Sequence, residues 1–462
     1  MSESRVAQSQ PTGALADQQL AWYAAASAVL LAYALYVGRG GPGPIPLALL
    51  TVALLAAGAA VVRRRPLRLP ILRSADRLAG FGLAVQFALL FTWPLMNPLQ
   101  LGSVSAYLPF WIGLTVAAIV AALPALGIAK AGWPRLAALI AIHLALGIWV
   151  IEVAPDPHID LWYMQVDGAR ALLDGVNPYL PIYENIHGAD TTYYGPGLVE
   201  NGELTIGFPY PPLSLLLVLP GELLAGEVRY AHLVAIELSA VAMAVTRAGG
   251  LAMRSALLWL FTPWTFLMAV GGWTEPLVVL LLAIVVLAAV RAPRILGVAL
   301  GLLIAVKQYA LLGLPLALLL LASGSKDRWR LGWQSIAVAA IVTLPFVLWD
   351  VAAFSWSTIG SIVGQVFRPD TLSYLAALPG DWGPRLSLVT SIVSLLAAGA
   401  LVMWRAPRTP SGFAGALGFM LMAFFAFSRQ GGGNYYFAVI GALCCAVAAS
   451  QWQPRQVAKR DV

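Results

Sequence analysis

The chain has 462 residues, of which 60% are hydrophobic and only 11% charged, about half the charge of an ordinary soluble domain. Such a composition excludes a fold solvated by water on all sides. The net charge of +7 comes from 28 Lys and Arg scattered between apolar runs, which excludes the single basic patch of a nucleic-acid binder and fits orientation in a membrane instead.

The polar start, Met1 to Gln19, reads as a cytoplasmic tail. It leads without a small-residue cleavage site into Leu20–Val37, a retained first helix rather than a signal peptide. Further apolar runs lie near 44–62, 78–96, 107–128, 134–153, 231–248, 255–271, 276–290, 295–306, 309–322, 331–349, 386–404, 412–428 and 433–450. They are continuously apolar rather than alternating, so helices and not a barrel are expected. The fold class is therefore an all-α polytopic membrane protein, with about 14 transmembrane helices if each run crosses the hydrocarbon.

Charge sets the expected sidedness. Arg63, Arg64, Arg65, Arg68, Arg73 and Arg77 place the connection after the second run, and with it the N-terminus, in the cytoplasm. Pro211–Leu224 is apolar but short and holds Pro211, Pro212 and Pro220. If it spanned, Arg247, Arg254, Arg291, Arg294, Lys326, Arg328, Arg330, Arg405 and Arg408 would nearly all face outward, so it is read as interfacial or re-entrant. The outward exceptions are then Arg39, Arg170, Arg229, Lys307, Arg368, Arg385 and Arg429, and basic residues on that side invite a functional reading. Cys444 and Cys445 stand side by side in the last run and read as packing thiols, with no disulfide or zinc spacing.

The longest polar stretch, Ala154 to Gly207, belongs to an expected outer loop 154–230. Asp160, Asp167 and Asp174 recur every seven residues opposite Leu161, Trp162, Ala169, Leu172 and Leu173, and Gly175 with Asn177-Pro178 supplies a stop. That pattern predicts an amphipathic helix on the membrane surface. Asp167 and Asp174 suit its solvated face. Asp160, beside the exit of the preceding span, is either a helix cap or a general base partly desolvated next to a lipid-borne substrate.

Ile159-Asp160-Leu161, Leu172-Leu173-Asp174-Gly175, Asn177-Pro178-Tyr179 and Gly207-Phe208-Pro209-Tyr210-Pro211-Pro212-Leu213 together resemble the first outer loop of the GT-C glycosyltransferases. The form they resemble is glycosyltransferase family 87, the polyprenyl-phosphate-mannose-dependent, mannosyltransferase-like family also described as DUF2029. Gly271-Gly272-Trp273-Thr274-Glu275-Pro276 and Ala305-Val306-Lys307-Gln308 resemble later outer turns of that fold.

The resemblance implies a catalytic module over 134–350, and the chain departs from it at the front, where a four-helix extension (20–128) precedes the module. An outer loop with three further helices (351–450) and a cytoplasmic tail (451–462) follow it. It implies an inverting glycosyltransferase in the cytoplasmic membrane with its site on the extracytoplasmic side. A polyprenyl-phosphate sugar, of mannose or another hexose or pentose, would be the donor, a lipid or glycan the acceptor, and membrane lipids the surroundings. Asp160 matches the family's catalytic aspartate.

Lys307, in the middle of an apolar stretch, is expected to bind the donor phosphate, its alternative being a snorkelling lysine. Arg368 and Arg429 are further phosphate candidates, although Arg368 could pair with Asp370. Glu275, Trp273, Tyr210 and Asp167 are candidates for sugar or acceptor, with helix-dipole, interface-belt and solvated-face roles as alternatives. No cofactor is required by the pattern, and a divalent metal on Asp156 and Asp160 is open. A transporter or a lipid-linked polysaccharide ligase remains the alternative function. Against transport, Glu237 is the only acidic residue well inside a span and no internal repeat is present.

Overall fold

The computed structural model describes residues 12–62, 74–96, 103–128, 132–188, 191–321 and 327–450. The arginines at 63, 64, 65, 68 and 73, Asp190, Lys326 and most of the two terminal tails lie outside the described residues. The protein is a multi-pass, mostly helical membrane protein. Its strands, among the described residues, are β1 (Val199–Glu200) and β2 (Glu203–Leu204), an antiparallel pair.

The helices in chain order begin with α1 (Thr12–Gly38), α2 (Pro44–Val62), α3 (Ala75–Met96), α4 (Leu108–Ala122) and α5 (Trp133–Glu152). The amphipathic α6 (Asp160–Leu173) and the short α7 (Pro212–Ala225) lie in the long connection, before α8 (Arg229–Thr246) returns. Next come α9 (Gly250–Leu260), α10 (Thr265–Gly271), α11 (Glu275–Arg291) and α12 (Leu296–Ile304). Gln308–Leu320 is a mixed segment of tight 3-10 turns around α13 (Gly313–Leu316). The chain ends with α14 (Asp327–Trp349), α15 (Val351–Ser355), α16 (Ser361–Val363), α17 (Trp382–Arg405), α18 (Pro410–Ala426) and α19 (Gly433–Ala449).

The expected count of about 14 transmembrane helices is corrected. Among the described residues eight helices are long and apolar enough to cross a membrane, or nine if the bent pair α9–α10 is one span. That run, 255–271, breaks at Phe261–Trp264 with a bend of 49°, where Pro263 removes a donor from the ladder. The run 412–428 and the run 433–450 become α18 and α19, each 17 residues long and buried along most of its length. At 17 residues they stand at the short end of what crosses the hydrocarbon, and they form the centre of the bundle. Val351–Val363, expected inside a loop, is helical.

The first helices close on the last ones. α1 packs on α2, α3 and α19, and α2 packs on α18. Cys444 and Cys445 are buried free thiols in α19. Inside the bundle Glu237 on α8 meets His143 on α5, whose other ring nitrogen lies 3.3 Å from the Thr265 hydroxyl. An acidic side chain surrounded by helices is thereby partnered, as the hydrocarbon requires.

At the end of the bundle that carries the long connection, Arg229 is buried and ties three segments. Its guanidinium donates to Ala154 O at 2.6 Å and to Val270 O at 3.3 Å, bonds Glu227 at 2.6 Å, and lies over the Trp162 ring. An outward arginine that looked exceptional in the sequence is a structural clamp.

Candidate active site

Two charged constellations lie at this loop end. The first is built on the start of α6. Asp160 is the first residue of that helix, and its Oδ1 accepts the Leu161 amide at 2.7 Å, which meets one of the amides a helix start leaves open. Its Oδ2 accepts the Tyr194 hydroxyl at 2.9 Å, and His187 Nε2 stands 3.9 Å away. The Asp160 side chain is 38% exposed, so a substrate can reach it. Burial holds His187 below the usual histidine range, leaving it a neutral ring stacked 4.4 Å from Tyr193.

Arg368 leans over the Tyr193 ring at 4.4 Å and forks onto Asp370 with bonds of 2.8 and 2.7 Å. The sequence alternative for Arg368, pairing with Asp370, is what the geometry contains. Arg429 donates to the carbonyls of Gln365 at 2.8 Å and Val363 at 3.3 Å. It fastens the 363–368 backbone, while Arg368 N bonds back to Arg429 O at 3.0 Å.

The second constellation is buried. Lys307 lies in the break between α12 and the 3-10 turn that follows, in extended backbone. Its ammonium donates to Glu275 Oε1 at 2.6 Å and to Thr274 Oγ1 at 2.9 Å. The side chains of Lys307 and Glu275 are 2% and 0% exposed. Asn434 donates to the same Glu275 oxygen at 3.0 Å, and Glu275 Oε2 has no hydrogen-bond partner. Three tyrosine rings surround the ammonium: Tyr210 at 4.2 Å, Tyr435 at 5.3 Å and Tyr309 at 5.6 Å. Electron-rich ring faces are favourable company for a desolvated cation.

Local sequence explains why these residues meet. Gly207 has Tyr179 backbone only 2.3 Å from where a Cβ would stand, so no other residue lets the two segments approach. Phe208 N then bonds Pro178 O at 2.9 Å, and the Ser357 hydroxyl bridges Gly207 N and Tyr179 O. This seam joins the Asn177-Pro178-Tyr179 and Gly207–Leu213 motifs and carries Tyr210 to Lys307. Gln308 adds a bond to Pro209 O at 2.7 Å. Tyr210 and Tyr435 also lie within range of the Asp160 charge.

The structure brings together Asp160, Tyr210, Glu275 and Lys307, with Arg368 at the mouth. It leaves Asp167 on the flank of α6, half-buried and pushed upward in pKa mainly by desolvation, near Arg170 and Glu222. Trp273 adjoins the pair through its neighbours Thr274 and Glu275 and packs its ring against Gly271. Sequence reasoning did not find the roles of Thr274, Tyr309, Asn434, Tyr435 or Tyr194. A polar signal was present for several of them, in Gln308-Tyr309 beside Lys307 and Asn434-Tyr435 after the glycines.

Asp156 Oδ1 is taken by the Tyr163 hydroxyl at 2.8 Å and by His158 N at 3.0 Å, and the Tyr163 bond leads in holding its carboxyl below the usual range. Among the described residues no three His, Cys, Asp or Glu side chains converge as a cation site.

Residues 208–428 match the family model of glycosyltransferase family 87. The matched stretch contains Tyr210, Trp273, Glu275, Lys307 and Arg368, whereas Asp160, Asp167 and Arg429 fall outside it. No curated protein and no solved structure matches the chain.

Proposed function

We propose that the chain, which resembles glycosyltransferase family 87 over residues 208–428, is a membrane glycosyltransferase that transfers a sugar, with inversion, from a polyprenyl-phosphate donor to a lipid or glycan acceptor. The reaction takes place on the extracytoplasmic side of the cell membrane. What supports this reading is a reachable carboxylate, Asp160, at the same end of the molecule as the buried Lys307–Glu275 pair, with Tyr210 against that pair and within electrostatic range of Asp160.

In the transfer step the acceptor oxygen attacks the anomeric carbon from the face opposite the phosphate. The bond from that carbon to the phosphate oxygen breaks, and its electron pair leaves with the polyprenyl phosphate. Asp160 takes the acceptor's proton, a role for which a positioned carboxylate contributes about two to four orders of magnitude in rate.

The leaving phosphate gains charge and needs a cation in place beforehand. An ammonium has three donors, and Lys307 spends one on Glu275 and one on Thr274, so one remains for a phosphate oxygen. Glu275 sets a carboxylate against that ammonium, and its Oε2, close to the Tyr309 hydroxyl, is the oxygen that accepts a sugar hydroxyl. Arg368 and Arg429 serve the site by shaping the 363–370 wall, where their bonds already lie. Tyr210 presents its ring to Lys307 and flanks the donor.

The test offers purified protein in nanodiscs a set of polyprenyl-phosphate sugars, those of mannose, glucose, galactose and arabinose, with an extract of membrane lipids as acceptor. The expected result is release of polyprenyl phosphate from one donor with its sugar appearing in a new extractable glycolipid. Consumption of a nucleotide sugar with every polyprenyl donor left intact overturns the reading.

A further inference from the structure

Both oxygens of Asp160 are occupied in the substrate-free protein. Oδ1 holds the Leu161 amide of its own helix at 2.7 Å, and that bond belongs to the helix start. Oδ2 holds the Tyr194 hydroxyl at 2.9 Å, a bond that spans 34 positions of sequence and comes from a different segment. A carboxylate that accepts a proton from an attacking hydroxyl must first accept that hydroxyl's hydrogen bond in the same place. Tyr194 presents the same chemical group, an O–H on carbon, to the oxygen that is otherwise open.

The segment carrying Tyr194 is seated rather than loose. Gly195 lies so close to the facing wall that a Cβ there would stand 1.9 Å from Gly364 O. Its neighbour Tyr193 is covered by Arg368 at 4.4 Å and stacked on His187 at 4.4 Å. Burial pushes the Tyr194 hydroxyl well above the usual tyrosine range, so it stays protonated and remains a donor at any physiological pH. Tyr194 itself does not reach the Lys307–Glu275 pair by any bond in the structure; its one polar contact here is to the carboxylate.

We propose that Tyr194 is an acceptor-mimicking plug: its hydroxyl occupies the position on Asp160 Oδ2 that the acceptor hydroxyl takes during transfer, and it thereby keeps water from using the base. The inference rests on Asp160 being that base. Its consequence is specificity against hydrolysis, a hazard for any enzyme that activates a glycosyl donor in a site open to solvent. A true acceptor brings further contacts and displaces the tyrosine, whereas a lone water does not. If water did attack, its oxygen would bond to the anomeric carbon, its proton would pass to Asp160 Oδ2, and the polyprenyl phosphate would leave with the electron pair of the broken bond.

The experiment measures hydrolysis of farnesyl-phosphoryl-mannose, or the farnesyl-phosphoryl form of whichever sugar the wild-type protein transfers, with no acceptor added. Tyr194→Phe keeps the ring and its packing and removes only the hydroxyl. It should release free sugar at least threefold faster than wild type, and the Tyr194→Phe/Asp160→Asn protein should fall back to the rate of Asp160→Asn alone. Tyr194→Leu, which also opens the oxygen, should hydrolyse faster than wild type as well. Hydrolysis by both variants at or below the wild-type rate, with donor binding intact, overturns the plug and leaves Tyr194 a positioning residue. The base reading fails separately, if Asp160→Asn itself transfers sugar at the wild-type rate.

Discussion

The two charged constellations follow opposite rules. At the mouth, Asp160 is 38% exposed and held by a helix amide and a tyrosine hydroxyl. Deeper in, Lys307 and Glu275 are almost fully buried and neutralise one another inside a ring of tyrosines. The exposed group can exchange its tyrosine partner for a substrate hydroxyl at low cost, because it stays in contact with solvent throughout. The buried pair cannot, since each member alone would be an uncompensated charge in a medium that does not solvate it. Exchangeable chemistry is therefore expected at Asp160, and fixed electrostatics at Lys307.

The largest expected effect on stability breaks the buried pair from one side. Glu275→Gln leaves Lys307 without its carboxylate and should destabilise the protein by about 3–5 kcal/mol, read as a lower melting temperature in detergent. The Lys307→Met/Glu275→Gln double variant should recover part of that loss. A double variant no more stable than Glu275→Gln would show that the pair is not a closed electrostatic unit.

Next in size is the effect of Lys307→Met on the donor. With the phosphate's cation gone, both donor affinity and turnover should fall, because the charge is complementary to the phosphate before and during bond breaking. Binding of a polyprenyl phosphate, followed by scintillation proximity, checks this. Unchanged affinity would move the phosphate away from Lys307.

The smallest expected effect is at the mouth's own ion pair. Arg368→Gln removes a fork onto Asp370, whose side chain is 60% exposed. Such pairs contribute roughly 0–1 kcal/mol. The Arg368 bond is the first cause holding the Asp370 carboxyl below the usual range. That contribution is present above the unfolded carboxylate range and is lost as pH falls through the lower folded value. Arg368→Gln should thus change the melting temperature by a degree or two near neutrality and by less in acid. A larger loss in acid than at neutral pH would contradict the sign.

Much of this arrangement was legible in the sequence, and the reasons differ by element. The heptad of Asp160, Asp167 and Asp174 marked α6, because a surface helix must separate its apolar and charged sides. Pro220 and the short apolar run marked α7 as a short element apart from the long helices. The isolation of Lys307 in an apolar stretch flagged it, and the same cost explains why it is found with Glu275. What the sequence hid was anything decided by tertiary packing. The central position of α18 and α19 was hidden because burial against protein and burial in lipid select the same residues. Tyr194 and Asn434 reach their carboxylates across 34 and 159 positions, and no local pattern encodes those meetings.

The central claim, that one reachable carboxylate performs the proton transfer while the buried pair holds the donor, is tested most directly by Asp160→Asn. This change keeps the size of the side chain and removes its capacity to take a proton. Sugar transfer from the polyprenyl-phosphate donor and donor affinity are measured on the same purified protein. The account predicts that turnover falls by roughly two to four orders of magnitude while donor affinity and melting temperature stay at their wild-type values. An Asp160→Asn protein that binds donor and transfers sugar at near the wild-type rate would contradict it.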